Sequence, residues 1–111
     1  MVLKVQRRLE VAQAFGVGET RLYTIKNQVL RAQGDALLAA RQIYVFIRTI
    51  DNPVTMAVLY SLDDGVVFIN RGTAEAIADR FFTTIAAIGT DTQISLFAAF
   101  GATVDVSVHA V

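Results

Sequence analysis

Apolar and polar residues alternate most clearly in the middle of the chain. The segment QIYVFIRTI (42–50) places Ile43 and Ile47 on one side and its even-numbered residues on the other, which is the period-two pattern of a β-strand. A second strand is predicted at 54–62 after the turn DNP, and a third at 66–70 after the hairpin turn DDG. These three segments predict an antiparallel sheet.

The period changes after Thr73. Ile77, Phe81 and Ile85 follow one another at intervals of four, as on the buried face of a helix. Thr73 is also a favourable N-cap residue. The pattern therefore predicts a helix over 73–88.

The remaining segments are a predicted C-terminal hairpin and a less regular N-terminal part. Residues 94–100 and 103–111 alternate like strands and are joined at Gly101, which predicts the hairpin. Residues 22–40 carry a helical stripe and favour a helix, although part of the stripe also fits a strand. Residues 2–15 fit a helix and a strand equally well.

Together these elements predict one α+β domain over residues 1–111. It would contain a mainly antiparallel sheet of about five strands, the helix at 73–88 and an N-terminal helix.

The composition is unusually apolar for a domain of this size. Hydrophobic residues make up 54% of the chain and charged residues 18%, against about 25% charged in a typical soluble domain. A small domain with so few charges must expose apolar surface, which usually marks contacts with partners. We therefore expect a homo-oligomer.

Several function classes are disfavoured by the sequence. There is no cysteine and a single histidine, so we expect no metal site and no cofactor. The longest run without a charged residue, Thr92 to Val104, has thirteen residues, against about twenty for a membrane-spanning helix. Charged residues near the start interrupt any signal-peptide pattern. We expect a protein of the cytoplasm or of a virion.

Charge is distributed unevenly along the chain. Residues 1–50 carry eight basic and three acidic residues, and residues 51–111 carry two and seven. This asymmetry is typical of a nucleic-acid-binding arm or of complementary faces that meet between subunits. It is also found in domains whose two faces are simply solvated. With zero net charge and no RNA-binding signature, nucleic acid is the less favoured partner.

The segment TVDVSVHAV contains Asp105, Ser107 and His109 at alternate positions. Residues two apart on a strand are separated by about 6.8 Å, too far for a nucleophile to bond its base. The three side chains therefore do not form a catalytic triad. His109 alone is kept as a candidate ligand-binding residue.

Two further sets of candidate binding residues follow from local patterns. In NRGT (70–73), Arg71 and Thr73 precede the predicted helix, where free N–H groups and a cation would attract an anion. Tyr44 and Arg48 combine an aromatic and a basic side chain on one predicted strand, a pairing seen on sheets that stack bases. Packing in a core or an interface explains the same aromatic residues.

The leading functional hypothesis is a non-catalytic, self-assembling structural protein. It would be a subunit of a ring, shell or tube, such as a component of a phage head or tail. The alternative is a small oligomeric ligand-binding domain or enzyme with a pocket between sheet and helix.

Overall fold

The computed structural model describes residues 6–27 and 42–110, and these residues form nine β-strands in two antiparallel sheets. The strands are β1 (Gln6–Phe15), β2 (Glu19–Lys26), β3 (Gln42–Thr49), β4 (Val54–Ser61), β5 (Ile69–Asn70), β6 (Glu75–Ile77), β7 (Arg80–Ala86), β8 (Asp91–Ala98) and β9 (Ala102–Ala110). These two ranges contain no helix, so the predicted α+β class is wrong and the fold is all-β. Consistently, none of the described residues belongs to a helix of the length and apolar character that a membrane crossing requires.

Four segments of the chain each contribute one strand to both sheets. The four-stranded sheet has the order β1-β9-β3-β7, and the five-stranded sheet has the order β2-β8-β4-β5 with β6 also paired to β4. The pairs β1–β2, β3–β4, β6–β7 and β8–β9 are each consecutive in the chain, yet their two members lie in different sheets. Each segment therefore runs through one sheet, turns a corner and continues in the other.

The corner between β8 and β9 replaces the predicted C-terminal hairpin. Gly101 has a φ of +74°, a conformation that glycine adopts without strain. A Cβ atom at this position would lie 3.0 Å from the backbone oxygen of Phe15, so the corner also requires the close approach of β1. A turn at Gly101 was predicted correctly. However, this turn directs the chain into the other sheet, so the hairpin prediction is wrong.

The DNP segment forms the neighbouring corner between β3 and β4. Asp51 Oδ1 accepts a hydrogen bond from the Thr103 N–H at 2.8 Å, and the Asn52 side-chain amide donates to the Gly101 oxygen at 3.0 Å. Side chains of one corner thus satisfy backbone groups of the next. These bonds hold the two corners side by side.

The core lies between the inward faces of the two sheets. In β3, Ile43, Val45 and Ile47 are fully buried, as the alternation predicted, while the even-numbered residues between them are exposed. The inward residues of β9 and β8 form another large part of the core. They are Ala102, Val104, Val106, Val108, Ile94, Leu96 and Ala98.

The predicted helix at 73–88 is instead two strands, β6 and β7, with a corner between them. Ile77, Phe81 and Ile85 do share the inward side, so the apolar stripe was recognised correctly. However, an interval of four is also a multiple of two, and it keeps side chains on one face of a strand as well as of a helix. The helix prediction is wrong because the stripe could not distinguish the two.

The N-terminal segments are also strands in their described part. β1 resolves the open choice over 2–15 in favour of a strand from residue 6 onward. β2 contradicts the helix favoured from residue 22 to 26, because Tyr23 and Ile25 are buried by strand alternation while Leu22 points outward. Asn27, which follows β2, is not helical either. The part of that predicted helix over 28–40 lies outside the described residues.

The hairpin between β4 and β5 is looser than predicted. Its loop extends from the end of β4 to Phe68, because only Ile69 and Asn70 of the third predicted strand pair with β4. Asp63 holds this loop through its carboxylate, which accepts bonds from the Ser61 hydroxyl and the Val67 N–H.

Candidate interaction face

The outward side of the four-stranded sheet carries three rows of side chains across β7, β3 and β9. The pairing registers define them as Thr84, Tyr44 and His109 in the first row, Phe82, Phe46 and Ser107 in the second, and Arg80, Arg48 and Asp105 in the third. They point outward because successive side chains of a strand alternate between the two faces. Three of the five predicted binding residues, Tyr44, Arg48 and His109, therefore share one surface.

The first two rows form a continuous aromatic patch. The Tyr44 ring lies 6.4 Å from the Phe82 ring in a stacked arrangement and 6.2 Å from the His109 ring. Phe82 is 63% exposed, and Tyr44 and Phe46 are each 37% exposed. We call Tyr44, Phe46, Phe82 and His109 the outer aromatic face. Large apolar side chains concentrated in this way usually mark a contact surface.

The third row borders this patch with charge. Arg48 lies directly opposite Arg80 on the neighbouring strand, and like charges in that position repel. The Arg48 guanidinium is 3.9 Å from Asp105 Oδ2, whereas Arg80 forms no ion pair with any described residue. The border therefore carries more positive than negative charge.

The segment that contains the only histidine has no catalytic arrangement. His109 contacts the Tyr44 ring, and Ser107 lies opposite Phe46 on the neighbouring strand. The Asp105 carboxylate is engaged by Arg48 and by the backbone N–H of Ala12. These residues are the outward side of β9, as the strand geometry predicted.

Arg71 and Thr73 lie elsewhere, in the connection between β5 and β6. Since no helix begins at Thr73, the free N–H groups of a helix N-terminus are not formed there, and Thr73 is an exposed loop residue. The Arg71 guanidinium donates to the Ala86 oxygen at 2.6 Å, and its backbone N–H donates to the Val58 oxygen. Arg71 thus ties the loop to the end of β7, and the basis for an anion site at this position is lost.

Sequence reasoning missed a polar cluster that joins the two sheets at the β1–β2 side. The Tyr23 hydroxyl donates to Glu10 Oε2 at 2.8 Å, and Arg21 lies 4.0 Å from the same carboxylate and over the Phe15 ring. Burial, followed by the hydrogen bond to Glu10, raises the pKa of Tyr23 above its ordinary value. Arg21 also pairs with Glu19, which lowers the pKa of that carboxyl. Because these side chains form hydrogen bonds and ion pairs with one another, the cluster holds the two sheets together. No spacing of residues in the sequence predicted it.

The uneven charge of the two halves is partly neutralised within the chain. Lys26 lies 2.8 Å from the buried carboxylate of Asp91 and 3.1 Å from Asp64, and Arg48 approaches Asp105. Each of these contacts joins a base of the first half to an acid of the second. The contacts with Asp91 and Asp105 follow from the pairing of β2 with β8 and of β3 with β9. At Lys26 and Arg48, the asymmetry along the sequence is therefore offset within one subunit.

Two further results bear on function. Within the ranges that the structure describes, no three acidic or histidine side chains come together as a metal-binding group. Comparison of the chain with protein-family models, with curated proteins and with solved structures finds no match in any of the three.

Proposed function

We propose that this chain is a non-catalytic structural subunit that assembles with copies of itself, as subunits of rings, shells and tubes do. The observation that carries the proposal is the outer aromatic face, whose rings lie on three neighbouring strands of one sheet, β9, β3 and β7. Subunits of this kind work in the cytoplasm or, as head and tail components, in phage particles.

Apolar surface on the other side of the molecule supports the same function. Leu22 and Phe97 point outward from the five-stranded sheet and are 57% and 39% exposed. A subunit with neighbours on more than one side needs apolar surface on more than one side. The alternative, a pocket between sheet and helix, loses one of its walls because 73–88 is not helical.

The first experiment is light scattering coupled to size exclusion, at low and at moderate salt. We expect a defined oligomer at micromolar concentration. Its size should change little with salt, because the described ion pairs of Lys26 and Arg48 are satisfied within one subunit and apolar contacts are not screened. A monomer under both conditions would contradict the proposal.

Paired variants then test the face itself. The double variant F46T/F82T replaces two rings with threonine, a β-branched residue suited to a strand. We expect it to shift the wild-type oligomer towards monomer. The control is Val17→Thr, which changes a more exposed apolar side chain at the β1–β2 corner. Equal loss of oligomer in both variants would show that general hydrophobicity, rather than this face, drives association.

A further inference from the structure

β7 is the outermost strand of the four-stranded sheet and has β3 as its only described partner. The Thr49 N–H donates to the Asp79 oxygen at 2.8 Å, so odd-numbered residues in this register direct their backbone groups at β3. Groups of the even-numbered residues point to the other side. Arg80, Phe82 and Thr84 therefore present N–H and C=O groups along an edge that no described strand pairs with, called the free edge below.

The end of this edge is closed by a side chain of the same molecule. Arg71 donates to the oxygen of Ala86, which is the last residue of β7 and follows the same even-numbered pattern. The edge available to a further strand accordingly runs over residues 80–84.

The other sheet edges carry features that discourage pairing. β1 has a bulge where Ala12 adopts a φ of +51°, and β2 contains the charged residues Glu19, Arg21 and Lys26. β5 and β6 are only two and three residues long. Bulges, charges and short strands are the usual protections of a sheet edge. β7 has one charge, Arg80 at its first position, and no bulge in its register with β3.

The inner side of β7 is incompletely covered. Phe81 and Ile85 pack on the core but stay half-buried, whereas Ile47 and Ile43, their partners on β3, are fully buried. A strand added beyond β7 would cover these two side chains. The composition RFFTTIA, rich in aromatic and β-branched residues, is also typical of segments that pair with other strands.

We propose that β7 of one copy pairs antiparallel with β7 of a second copy about a two-fold axis at Phe82, which joins two four-stranded sheets into one continuous sheet. This inference rests on the proposed self-assembly and names where copies meet. The axis at Phe82 places the two Phe82 rings opposite each other and leaves the Arg71–Ala86 contact intact.

The same register keeps like charges apart. Arg80 of one copy lies opposite Thr84 of the other, so the two Arg80 residues are four positions apart, or about 13 Å. Tyr44 and Phe46 of each copy flank the central pair of rings, because both lie on the same outward side as Phe82. The outer aromatic face thereby becomes continuous across both copies.

Single-cysteine variants test this geometry directly, because the chain has no cysteine of its own. In a hydrogen-bonded antiparallel pair the Cα atoms are about 5.5 Å apart, within the range of a disulfide. We expect F82C to form a disulfide-linked dimer on mild oxidation. T84C, whose copies would be about 13 Å apart, should give little or no linked dimer, because that separation is beyond disulfide reach. Equal cross-linking of both variants would overturn the proposed pairing.

Proline variants provide a second readout. Thr84→Pro removes an N–H that points away from β3 and spares the bonds to β3, so we expect a folded protein that lacks this contact and forms a smaller species than the wild type. Thr20→Pro is the control, since the Asn27 N–H bond to Thr90 shows that even-numbered residues of β2 also face a free edge. We expect the control to keep the oligomeric state.

The outcomes separate the two proposals. An oligomer of unchanged size in Thr84→Pro, together with no disulfide-linked dimer of F82C, would overturn β7 pairing and leave self-assembly standing. A wild-type monomer at micromolar concentration would overturn both. If Thr84→Pro fails to fold, the comparison of F82C with T84C still decides the question.

Discussion

The carboxylate of Asp105 accepts a hydrogen bond from the backbone N–H of Ala12, 93 residues earlier in the chain, at 2.7 Å. Ala12 lies in the bulge of β1 with a φ of +51°, and its N–H is turned away from the regular ladder. One oxygen of Asp105 thus satisfies an irregular backbone while the other faces Arg48. The residue that looked like part of a catalytic set is a structural support.

Replacing Asp105 should separate its two roles. We expect Asp105→Ala to lower the free energy of unfolding by about 1–2 kcal/mol, because the Ala12 N–H loses its acceptor. Asp105→Asn keeps an acceptor oxygen and should cost less than half as much. Urea denaturation followed by circular dichroism measures both. Equal losses would mean that the charge facing Arg48, rather than the bond to Ala12, matters.

Two glycines with similar backbone angles should respond differently to alanine. Gly89 has a φ of +72°, and a Cβ atom there would lie 2.2 Å from the Ser61 oxygen. Gly18 has a φ of +74° with nothing within 4 Å. We expect Gly18→Ala to cost about 1–2 kcal/mol for the left-handed conformation alone. Gly89→Ala should cost about 3 kcal/mol or more because Ser61 must also move. Thermal denaturation of the two variants is the test, and similar melting temperatures would contradict it.

The stability of the corners should fall at acid pH. Hydrogen bonds from the backbone N–H groups of Thr103 and Asn52 lower the pKa of Asp51 below its ordinary value. A carboxyl whose folded pKa is lowered stabilises the protein above its unfolded pKa of about 3.9, and this contribution is lost as pH falls through the folded pKa.

Asp51→Asn should therefore flatten the loss of stability between about pH 5 and pH 2. Asp63→Asn should act in the same direction, because the Val67 N–H and the Ser61 hydroxyl lower the pKa of Asp63. The measurement is the unfolding midpoint as a function of pH. A wild-type slope in both variants would show that other groups dominate acid unfolding.

Surface and core positions of one sheet should separate association from stability. Phe82→Thr replaces a side chain that is 63% exposed, and we expect a change in unfolding free energy within about 1 kcal/mol. Ile47→Ala empties a fully buried position and should cost about 2–5 kcal/mol. Urea denaturation at concentrations below the association range compares the two. A large loss for Phe82→Thr would place its main role in the fold of the single subunit.

The strands of the central region could be predicted because their signal is unambiguous. Ile43, Val45 and Ile47 alternate strictly with exposed residues over a β-branched segment, and no other element fits that period. The stripe at 77–85 was ambiguous, and its one distinguishing feature was the run of aromatic and β-branched residues from Phe81 to Ile85. An interval of four favours a helix, whereas this composition favours a strand, and the segment follows its composition.

The corners were beyond sequence reasoning for a different reason. Gly101 and the DNP segment signal a change of direction, but a hairpin and a passage between sheets begin with the same residues. Which one forms depends on the neighbouring stretch, as shown by the bonds from Asn52 to Gly101 and from Thr103 to Asp51.

The candidate face was predicted in part. Strand alternation assigned Tyr44 and Arg48 to one side, and His109 to the polar side of its own strand. These side chains lie on the same surface because β3 pairs with β9. Local sequence does not encode that pairing. Phe82 was missed because it was assigned to a helix.

The pairing of β1 with β9 also sets an order of events during synthesis. Gln6 lies opposite Ala110, so β1 has no partner among the described strands until β9 has left the ribosome, about 5–20 s later at ordinary elongation rates. Folding dominated by such distant pairings takes milliseconds to seconds. The four-stranded sheet therefore cannot be completed before β9 is made, whereas β3 and β7 are already available to pair with each other.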